Sequence, residues 1–288
     1  MFSCVIALGL FAGIRTAGAA KLTAIVTILQ GSATVIRAVS EFGALEGVRL
    51  LPDDLIRTDK DTFLRIEYED ETWIELGPET QLELGHPTDK RANRPALYLL
   101  TGWLKLGCAK SDSGAKNSLA STGMDLSDLS GTLIIRTTDS THMIFAEQGT
   151  ARWIDRAPHA TGSVTLNRGE FLVTGEGKSP KLQSRPAPDF VSSLPFAFRD
   201  SLPIRYALFA QRNVVAKDPR ALAYSDAEPW IDAEPSIRRQ FVVLWRRKAT
   251  EDQAFRASLD RNLPLHPEWR RVLHPEDYDA DGTLIRND

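Results

Sequence analysis

The feature that most constrains the fold is an alternation of apolar and mostly charged residues in the first third of the chain. It runs along LRIEYE at 64–69 and returns along WIEL at 73–76. A period of two is that of a β-strand, whose successive side chains point to opposite faces. Asp70 and Glu71 lie between the runs, where a two-residue hairpin turn would fall. The pattern predicts a hairpin with one buried face and one face in water.

A pattern typical of β-strands continues over residues 22–176. Short runs of β-branched and aromatic residues are separated every few positions by glycine, proline, aspartate or asparagine, which is typical of short strands joined by tight turns. We therefore predict a mainly β N-terminal domain of short antiparallel strands and hairpins over 22–176.

The pattern changes after this region. Residues 177–189 are rich in glycine, proline, serine and charge, which predicts a linker. Beyond it, apolar residues recur at helical spacing, most clearly at positions 237, 241, 244 and 245. This spacing predicts a small α-helical C-terminal domain over 190–288.

The first twenty residues differ from the rest. An apolar run is followed by Ala-Gly-Ala-Ala at 17–20, which is typical of a signal peptide cleaved after Ala19 or nearby. A buried N-terminal helix is the alternative. Cleavage would remove Cys4 and leave Cys108 as the single cysteine, expected in a strand and at least half-buried. We expect an exported bacterial protein, periplasmic or secreted, without a transmembrane segment in the mature chain.

Turn-and-strand motifs over residues 24–175 resemble the FecR domain, a β-rich module of bacterial envelope proteins. Two departures from its pattern are Asp53 and Glu71, which stand where the family usually has glycine and predict different or looser turns. The motifs that carry the resemblance are Gly31 with its flanking strands, Leu55–Thr58, Trp73–Thr80, Thr101–Leu104, Glu147–Ala151 and Leu166–Glu170.

The resemblance implies a non-catalytic sensing, binding or scaffolding module of the cell envelope. Well-known members of the family are envelope-spanning regulators that relay a signal to a sigma factor. Here the β domain follows the signal-like run directly, so the cytoplasmic part of such regulators is expected to be missing. The expected partner is an envelope protein or a cell-surface polysaccharide. A net charge of -3 gives no sign of nucleic-acid binding.

An enzyme is the alternative hypothesis. Glu67, Glu69, Asp70, Glu71 and Glu75 are expected on the outer face of one hairpin, and paired carboxylates can hydrolyse glycosidic bonds when a cleft holds them at a defined distance. The protein would then act on cell wall or polysaccharide. A solvated strand face that resists aggregation explains the same residues without catalysis.

A basic strip is predicted along the longest C-terminal helix. Arg238, Arg239, Arg246, Arg247 and Lys248 follow the side opposite its apolar face. Most such strips are solvated helix faces without a binding role. The functional alternative is that the strip binds a partner with an anionic surface.

The end of the chain resembles an EF-hand calcium loop. Asp277, Asp279 and Asp281 hold positions 1, 3 and 5, and the Thr283 carbonyl would be the ligand at position 7. Asp288 holds position 12, where a glutamate is usual. These five residues are the candidate calcium ligands, and no other cofactor is expected. An acidic tail without metal is the alternative.

Overall fold

The structure, a computed structural model, describes residues 24–84, 96–108, 118–139, 141–157, 162–175, 177–279, 281 and 283–285. The predicted signal peptide lies outside the described residues. The predicted fold class is confirmed, because a large, mainly antiparallel β-sheet is followed by a C-terminal helical region.

Eight short strands form the first half of the sheet. They are β1 Ala24–Gln30, β2 Ala33–Arg37, β3 Ser40–Gly43, β4 Arg49–Leu50, β5 Leu55–Thr58, β6 Phe63–Tyr68, β7 Trp73–Leu76 and β8 Gln81–Leu84.

Eight further strands complete the sheet. The strands are β9 Leu97–Cys108, β10 Leu119–Ser121, β11 Met124–Thr138, β12 Thr141–Asp155, β13 Ser163–Leu166, β14 Phe171–Gly175, β15 Lys178–Gln183 and β16 Lys217–Ala221. Three of them, β9, β11 and β12, are long, and the last of them, β16, pairs with β3 of the first half. Cys108 is half-buried at the end of β9, as predicted.

The hairpin β6–β7 has a three-residue loop in place of the predicted two-residue turn. The backbone N–H of Tyr68 donates to the Thr72 carbonyl at 2.9 Å, and Glu71 N–H donates to the Tyr68 carbonyl at 3.2 Å. Glu71 has φ +65°, and Asp53 has φ +68°. Both residues thus adopt the left-handed conformation that glycine takes without cost, and the looser turn predicted at Glu71 is confirmed.

Strand β9 joins the two halves of the sheet. Its first part pairs with β8 and, in parallel, with β10, whereas its second part pairs with β7 and β11. The parts meet at Gly102, which has φ +99° and would bring a Cβ atom within 2.4 Å of Thr80 Cα. Glycine is required there because both the conformation and the space exclude a side chain.

Alternation along β9 distributes its side chains among three apolar clusters. Leu97, Leu99, Leu104 and Leu106 point into a central core built by strands from both halves of the sheet. Tyr98, on the opposite face, packs with the C-terminal helices. Trp103 belongs to a third cluster on the outer face. The outer face of the sheet is therefore largely covered by later parts of the chain.

The helices follow β15 in the sequence, except that β16 interrupts them. They are α1 Pro188–Ser193, α2 Tyr206–Phe209, α3 Tyr224–Ile231, α4 Pro235–Leu244, α5 Arg246–Glu251, α6 Gln253–Arg261 and α7 Arg270–Leu273, with short 3-10 turns at Phe196–Arg199, Pro267–Trp269 and Pro275–Asp277. Within the described part of the chain, none of these helices is long and apolar enough to cross a membrane.

The predicted apolar helix face is mostly correct. Ile237, Phe241 and Trp245 are buried, but Leu244 is 38% exposed. The rings of Phe241 and Trp245 stack with centroids 4.6 Å apart, so Trp245 supplies the last apolar group of this face where α4 ends.

The segment predicted as a linker contains regular structure. Residues 178–183 form β15, which pairs with β14 at the edge of the sheet. The helical region also packs directly on the sheet, because Ile36, Leu55 and Tyr98 belong to its apolar cluster. The domain boundaries themselves stay a prediction.

Residues 188–209, named the strap here, lie across the outer face of the β6–β7–β9 region. Phe190 lies 4.8 Å from Phe171 and 5.5 Å from Trp103, measured between ring centroids. Phe198 packs edge-on against Trp103 at 6.5 Å. Apolar side chains of the strap thus replace water over this part of the sheet.

The strap also buries charged residues that were expected in water. Arg65, Glu67 and Glu75 are at most 1% exposed, so their predicted exposure is wrong. The period-two pattern correctly placed them on one face, but a later segment covers that face. Only Glu69 and the hairpin tip remain exposed.

These buried charges are paired with each other and with the strap backbone. Arg65 Nε donates to Glu67 Oε1 at 2.6 Å, and its Nη1 donates to Glu75. Glu67 Oε2 accepts from the Arg205 backbone N–H at 2.6 Å. Lys105 Nζ donates to the Phe198 carbonyl at 2.7 Å. Burial raises the pKa of Glu75, and Arg65 opposes that rise.

Candidate ligand-binding cleft

A cleft of about 780 Å³ lies where several turns of the sheet meet the N-terminal end of α4. This volume is in the range of small-molecule sites. The turns after β10, β11, β12 and β14 form one side, and the residues that begin α4 form the other. The described residues that line it include Met124, Asp139, His142, Trp153, Asp155, Arg156, Lys178, Pro180, Glu234 and Pro235.

Glu234 holds the two sides of the cleft together. Its Oε2 accepts from the Gly123 backbone N–H at 3.0 Å, and its Oε1 accepts from the Tyr98 hydroxyl at 3.2 Å. Arg156 completes this arrangement with an ion pair to Glu234. A single carboxylate therefore joins the start of α4 to one strand and two turns of the sheet.

Arg156 is committed to structure by several contacts. Its guanidinium contacts Asp125 at 3.2 Å, donates to the Ser121 carbonyl and donates to the Ser236 hydroxyl at 3.4 Å. Burial raises the pKa of Asp125, which Arg156 opposes. These contacts make Arg156 a structural link between the turns that line the cleft.

Two buried polar rings form part of the wall. Trp153 is 2% exposed, and within the described part of the chain its indole Nε1 has no hydrogen-bond partner. His142 is 6% exposed, and its Nδ1 lies 3.2 Å from the Thr137 hydroxyl. Burial lowers the pKa of His142, so this imidazole is neutral at pH 7.

The rim carries charge of both signs. Asp139 and Lys178 are exposed, and Asp155 is half-buried with its Oδ1 accepting from the Ala157 backbone N–H at 2.8 Å. Together with the paired Arg156 and Glu234, the described lining residues include three carboxylates and two cations. The described part of the lining is therefore polar and carries charge of both signs.

One wall of the cleft is an edge strand that is unsuited to strand addition. β15 contains Pro180 between Lys178 and Lys181, and its ladder with β14 shifts register near the proline. Proline and lysine on an edge strand discourage pairing with another extended chain.

None of the cleft residues was singled out from the sequence. They lie in turns at both ends of the β11–β12 hairpin, because Met124 pairs with Asp155 at one end and Thr138 with Thr141 at the other. The two ends approach each other, as the 3.3 Å contact between the Ser121 and Thr137 hydroxyl groups shows. No local sequence signal marks these residues, because the approach depends on how the long hairpin curves.

The carboxylates of the enzyme alternative do not line this cleft. Glu67 and Glu75 are buried and paired with Arg65 beneath the strap, whereas Glu69, Asp70 and Glu71 lie at an exposed hairpin tip. The hypothesis required an outward-facing acid pair across a cleft, and these five residues do not form one.

The predicted basic strip is partly neutralised. Arg238 pairs with Glu268 at 2.5 Å, Arg247 with Glu251 at 2.8 Å and Lys248 with Asp252 at 2.8 Å. Arg239 and Arg246 are exposed on the same side. Most of the strip is thus a salt-bridged helix surface.

The candidate calcium residues are placed as follows. Asp277 pairs with Arg270 at 3.0 Å. Asp279 Oδ1 accepts from the backbone N–H groups of Asp281 at 3.0 Å and Thr283 at 2.7 Å. The Thr283 carbonyl accepts from Asp279 N–H at 3.0 Å.

The fifth candidate, Asp288, lies outside the described residues, and over the part that is described no group of three or more His, Cys, Asp or Glu is arranged to hold a metal ion. Calcium binding stays a prediction.

Comparison with known proteins gives a distant likeness in shape. No protein-family model matches the sequence, and no curated protein matches it. Two crystal structures described as a "putative anti-sigma factor" from Parabacteroides distasonis are similar to this chain, each with a TM-score of 0.39. The identities are 13% and 10%, and each match covers 48% of this chain. The chain spans 62% and 63% of the length of those two structures.

Proposed function

We propose that this protein is a non-catalytic, exported FecR-like module of the bacterial cell envelope that binds a partner in a sensing or scaffolding role. The observation that carries the proposal is the cleft between the turns of the sheet and the start of α4. Because Glu234 joins both sides, a ligand in the cleft contacts two parts of the fold at once. Binding there can alter how the helical region packs on the sheet, which is what a sensing module requires.

The FecR-like motifs and the signal-like run at 1–20 support the envelope location within this proposal. The enzyme alternative is not proposed, because the carboxylates on which it depended are divided between a buried ion-pair network and an exposed turn.

Proximity labelling in intact cells tests this proposal. A peroxidase fused to the C-terminal end should label envelope proteins, and the set should shrink when Asp139→Ala and Lys178→Ala are combined on the cleft rim. Lys217→Ala is the matched control, because Lys217 is likewise exposed at the start of a proline-containing edge strand. Labelling restricted to cytoplasmic proteins would contradict the envelope role. An unchanged set in the double variant would contradict the role of the cleft.

A further inference from the structure

We infer that a basic and apolar patch, at and just beyond the C-terminal end of the strap, binds an anionic lipid surface. The aliphatic side chains of the patch enter the head-group region, and its two arginines contact the lipid phosphates. No residue of the patch is among the described residues that line the cleft, so this role goes beyond the proposed function. The patch consists of Ile204, Arg205, Leu208, Phe209, Arg212 and Val215.

Three large aliphatic side chains of the patch are exposed to water. Ile204 is 42% exposed, Leu208 60% and Val215 74%. An isolated exposed aliphatic residue is normal on a protein surface, whereas several close together commonly mark a protein or membrane contact. The stretch 201–216 that contains them has two arginines and no acidic residue. Apolar surface and positive charge therefore occur together here.

The two arginines are held side by side on one aromatic ring. The guanidinium carbon of Arg205 lies 5.5 Å from the centroid of the Phe209 ring, and that of Arg212 lies 4.9 Å from it. The Arg205 guanidinium has a long ion pair with Glu46 at 4.0 Å, and within the described part of the chain Arg212 pairs with no carboxylate. The patch thus presents positive charge that protein carboxylates neutralise only in part.

The ring of Phe209 also fixes the patch to the sheet, at the turn before β4. Phe209 is 3% exposed, and a Cβ atom at Gly47 would come within 3.2 Å of its ring and 2.6 Å of Val214. The side chains of Phe209 and Val214 therefore lie next to each other over Gly47. Each exposed aliphatic residue is a direct chain neighbour of Phe209, Val214 or Arg205, so all three lie close to the guanidinium groups.

Lipid head groups match this combination of side chains. Aliphatic side chains gain free energy when they leave water for the boundary of the acyl chains. A long arginine side chain keeps its charge at the level of the phosphates while its methylene groups stay in the apolar layer. Each basic residue near an anionic leaflet adds to the attraction, which acts over about one Debye length. An anionic lipid surface therefore satisfies both parts of the patch at once.

Two other occupants fit the patch less well. A two-fold contact with a second copy of the chain would bring Arg205 and Arg212 close to the same residues of the other copy, and like charges oppose such a contact. A peptide that adds a strand needs a free sheet edge. The edge strand that follows the patch, β16, carries Lys217 and Pro219, which disfavour strand addition.

Co-sedimentation of the full chain with lipid vesicles at low salt tests the lipid contact. We expect the chain to bind vesicles of equal parts phosphatidylglycerol and phosphatidylcholine, and to bind pure phosphatidylcholine much more weakly. Leu208→Ser should lower the partition coefficient about tenfold, because one exposed leucine side chain no longer leaves water. Arg212→Gln should lower it about fivefold, the contribution of one basic residue near an anionic leaflet.

Matched substitutions on α4 control for a general loss of charge or of apolar surface. Val243 is 80% exposed, and Arg239 is exposed on the same helix. Val243→Ser and Arg239→Gln should therefore leave vesicle binding unchanged. Circular dichroism of all four variants should match that of the parent chain, because each substituted side chain is exposed.

Four outcomes would overturn the lipid contact. The first is no binding to the anionic vesicles at millimolar lipid. The second is an equal loss with Val243→Ser or Arg239→Gln, which would assign binding to the basic strip on α4 or to net charge alone. The third is a dimer without lipid that Leu208→Ser dissociates, which would assign the patch to a second copy. The fourth is equally tight binding of soluble poly-glutamate that Arg212→Gln weakens, which would assign the arginines to an acidic protein.

None of these outcomes concerns the cleft, so proximity labelling with the cleft variants tests the proposed function separately.

Discussion

Glu234 Oε2 accepts a hydrogen bond from the Gly123 backbone N–H at 3.0 Å, although the two residues are 111 positions apart. The bond joins the start of α4 to the β10–β11 turn at the cleft. Since Tyr98 and Arg156 contact the same carboxylate, this one side chain connects the helical region to the sheet.

Replacement of Glu234 should weaken this connection. Glu234→Ala leaves the Gly123 N–H without its acceptor and removes one partner each from the Tyr98 hydroxyl and the Arg156 guanidinium, so we expect the free energy of unfolding to fall by about 1–3 kcal/mol. Urea denaturation followed by circular dichroism measures the change. Glu251→Ala, which removes an exposed helix glutamate, should leave stability unchanged within error. Equal stability of both variants would show that Glu234 does not join the two regions.

Substitution by glycine in the β6–β7 loop should stabilise the protein at Glu71 but not at Glu69. Glu71 has φ +65°, a conformation that costs a residue with a side chain roughly 1–2 kcal/mol. Glu71→Gly removes that cost but adds entropy to the unfolded chain, so we expect a net gain of about 0.5 kcal/mol. Glu69→Gly, two positions earlier without positive φ, should lose about 0.5–1 kcal/mol. Thermal melts of both variants test the difference, and the same sign for both would refute it.

Loss of Arg65 from the buried ion-pair network beneath the strap should strongly destabilise the protein. Arg65→Met leaves Glu67 and Glu75 buried without their cation, which is expected to cost about 3–5 kcal/mol. Adding Glu67→Gln should recover part of this loss, because a neutral amide oxygen still accepts from Arg205 N–H. Chemical denaturation of the single and double variants measures both steps. A double variant no more stable than Arg65→Met would show that unpaired charge is not the cause.

His142 and His274 should make the free energy of unfolding depend on pH in opposite directions. The pKa of His142 is lowered from its ordinary 6.5 by burial. Below 6.5 the unfolded chain therefore binds a proton that the folded chain does not, and stability falls as pH decreases. The pKa of His274 is raised, chiefly by its hydrogen bond to Asp260. The stabilisation of the folded state by His274 is fully present below pH 6.5 and is lost as the pH rises through the folded-state pKa.

Urea midpoints between pH 8 and pH 5 test this pair. His142→Gln should reduce the loss of stability on acidification, and His274→Gln should increase it. Parallel pH profiles for the two variants would contradict the assignment.

Local patterns predicted the strands and helices because their causes are local. Alternation along β6 and β7 identified the hairpin, and four-residue spacing at Ile237 and Phe241 identified α4. The departures from glycine at Asp53 and Glu71 indicated unusual turns, and both residues have positive φ. In each case the sequence signal and the structural feature lie within a few residues of one another.

Features formed by distant segments were not predictable in the same way. The burial of Arg65 depends on the strap, and the contact between Glu67 and Arg205 joins residues 138 positions apart. A single sequence shows that one face of a strand is charged, but not that a later segment covers it. The cleft was missed for the same reason, because Gly123 and Glu234 come together only through the tertiary packing of α4 on the sheet.

The central claim is that the protein acts outside the cytoplasm as a binding module, and the mature N-terminus tests it most directly. Intact-mass and N-terminal peptide mass spectrometry should be applied to the protein from periplasmic and cytoplasmic fractions of its own host. The account predicts a periplasmic or secreted chain that begins near Ala20 or Lys21. A chain that retains Met1 and is found in the cytoplasm would contradict it.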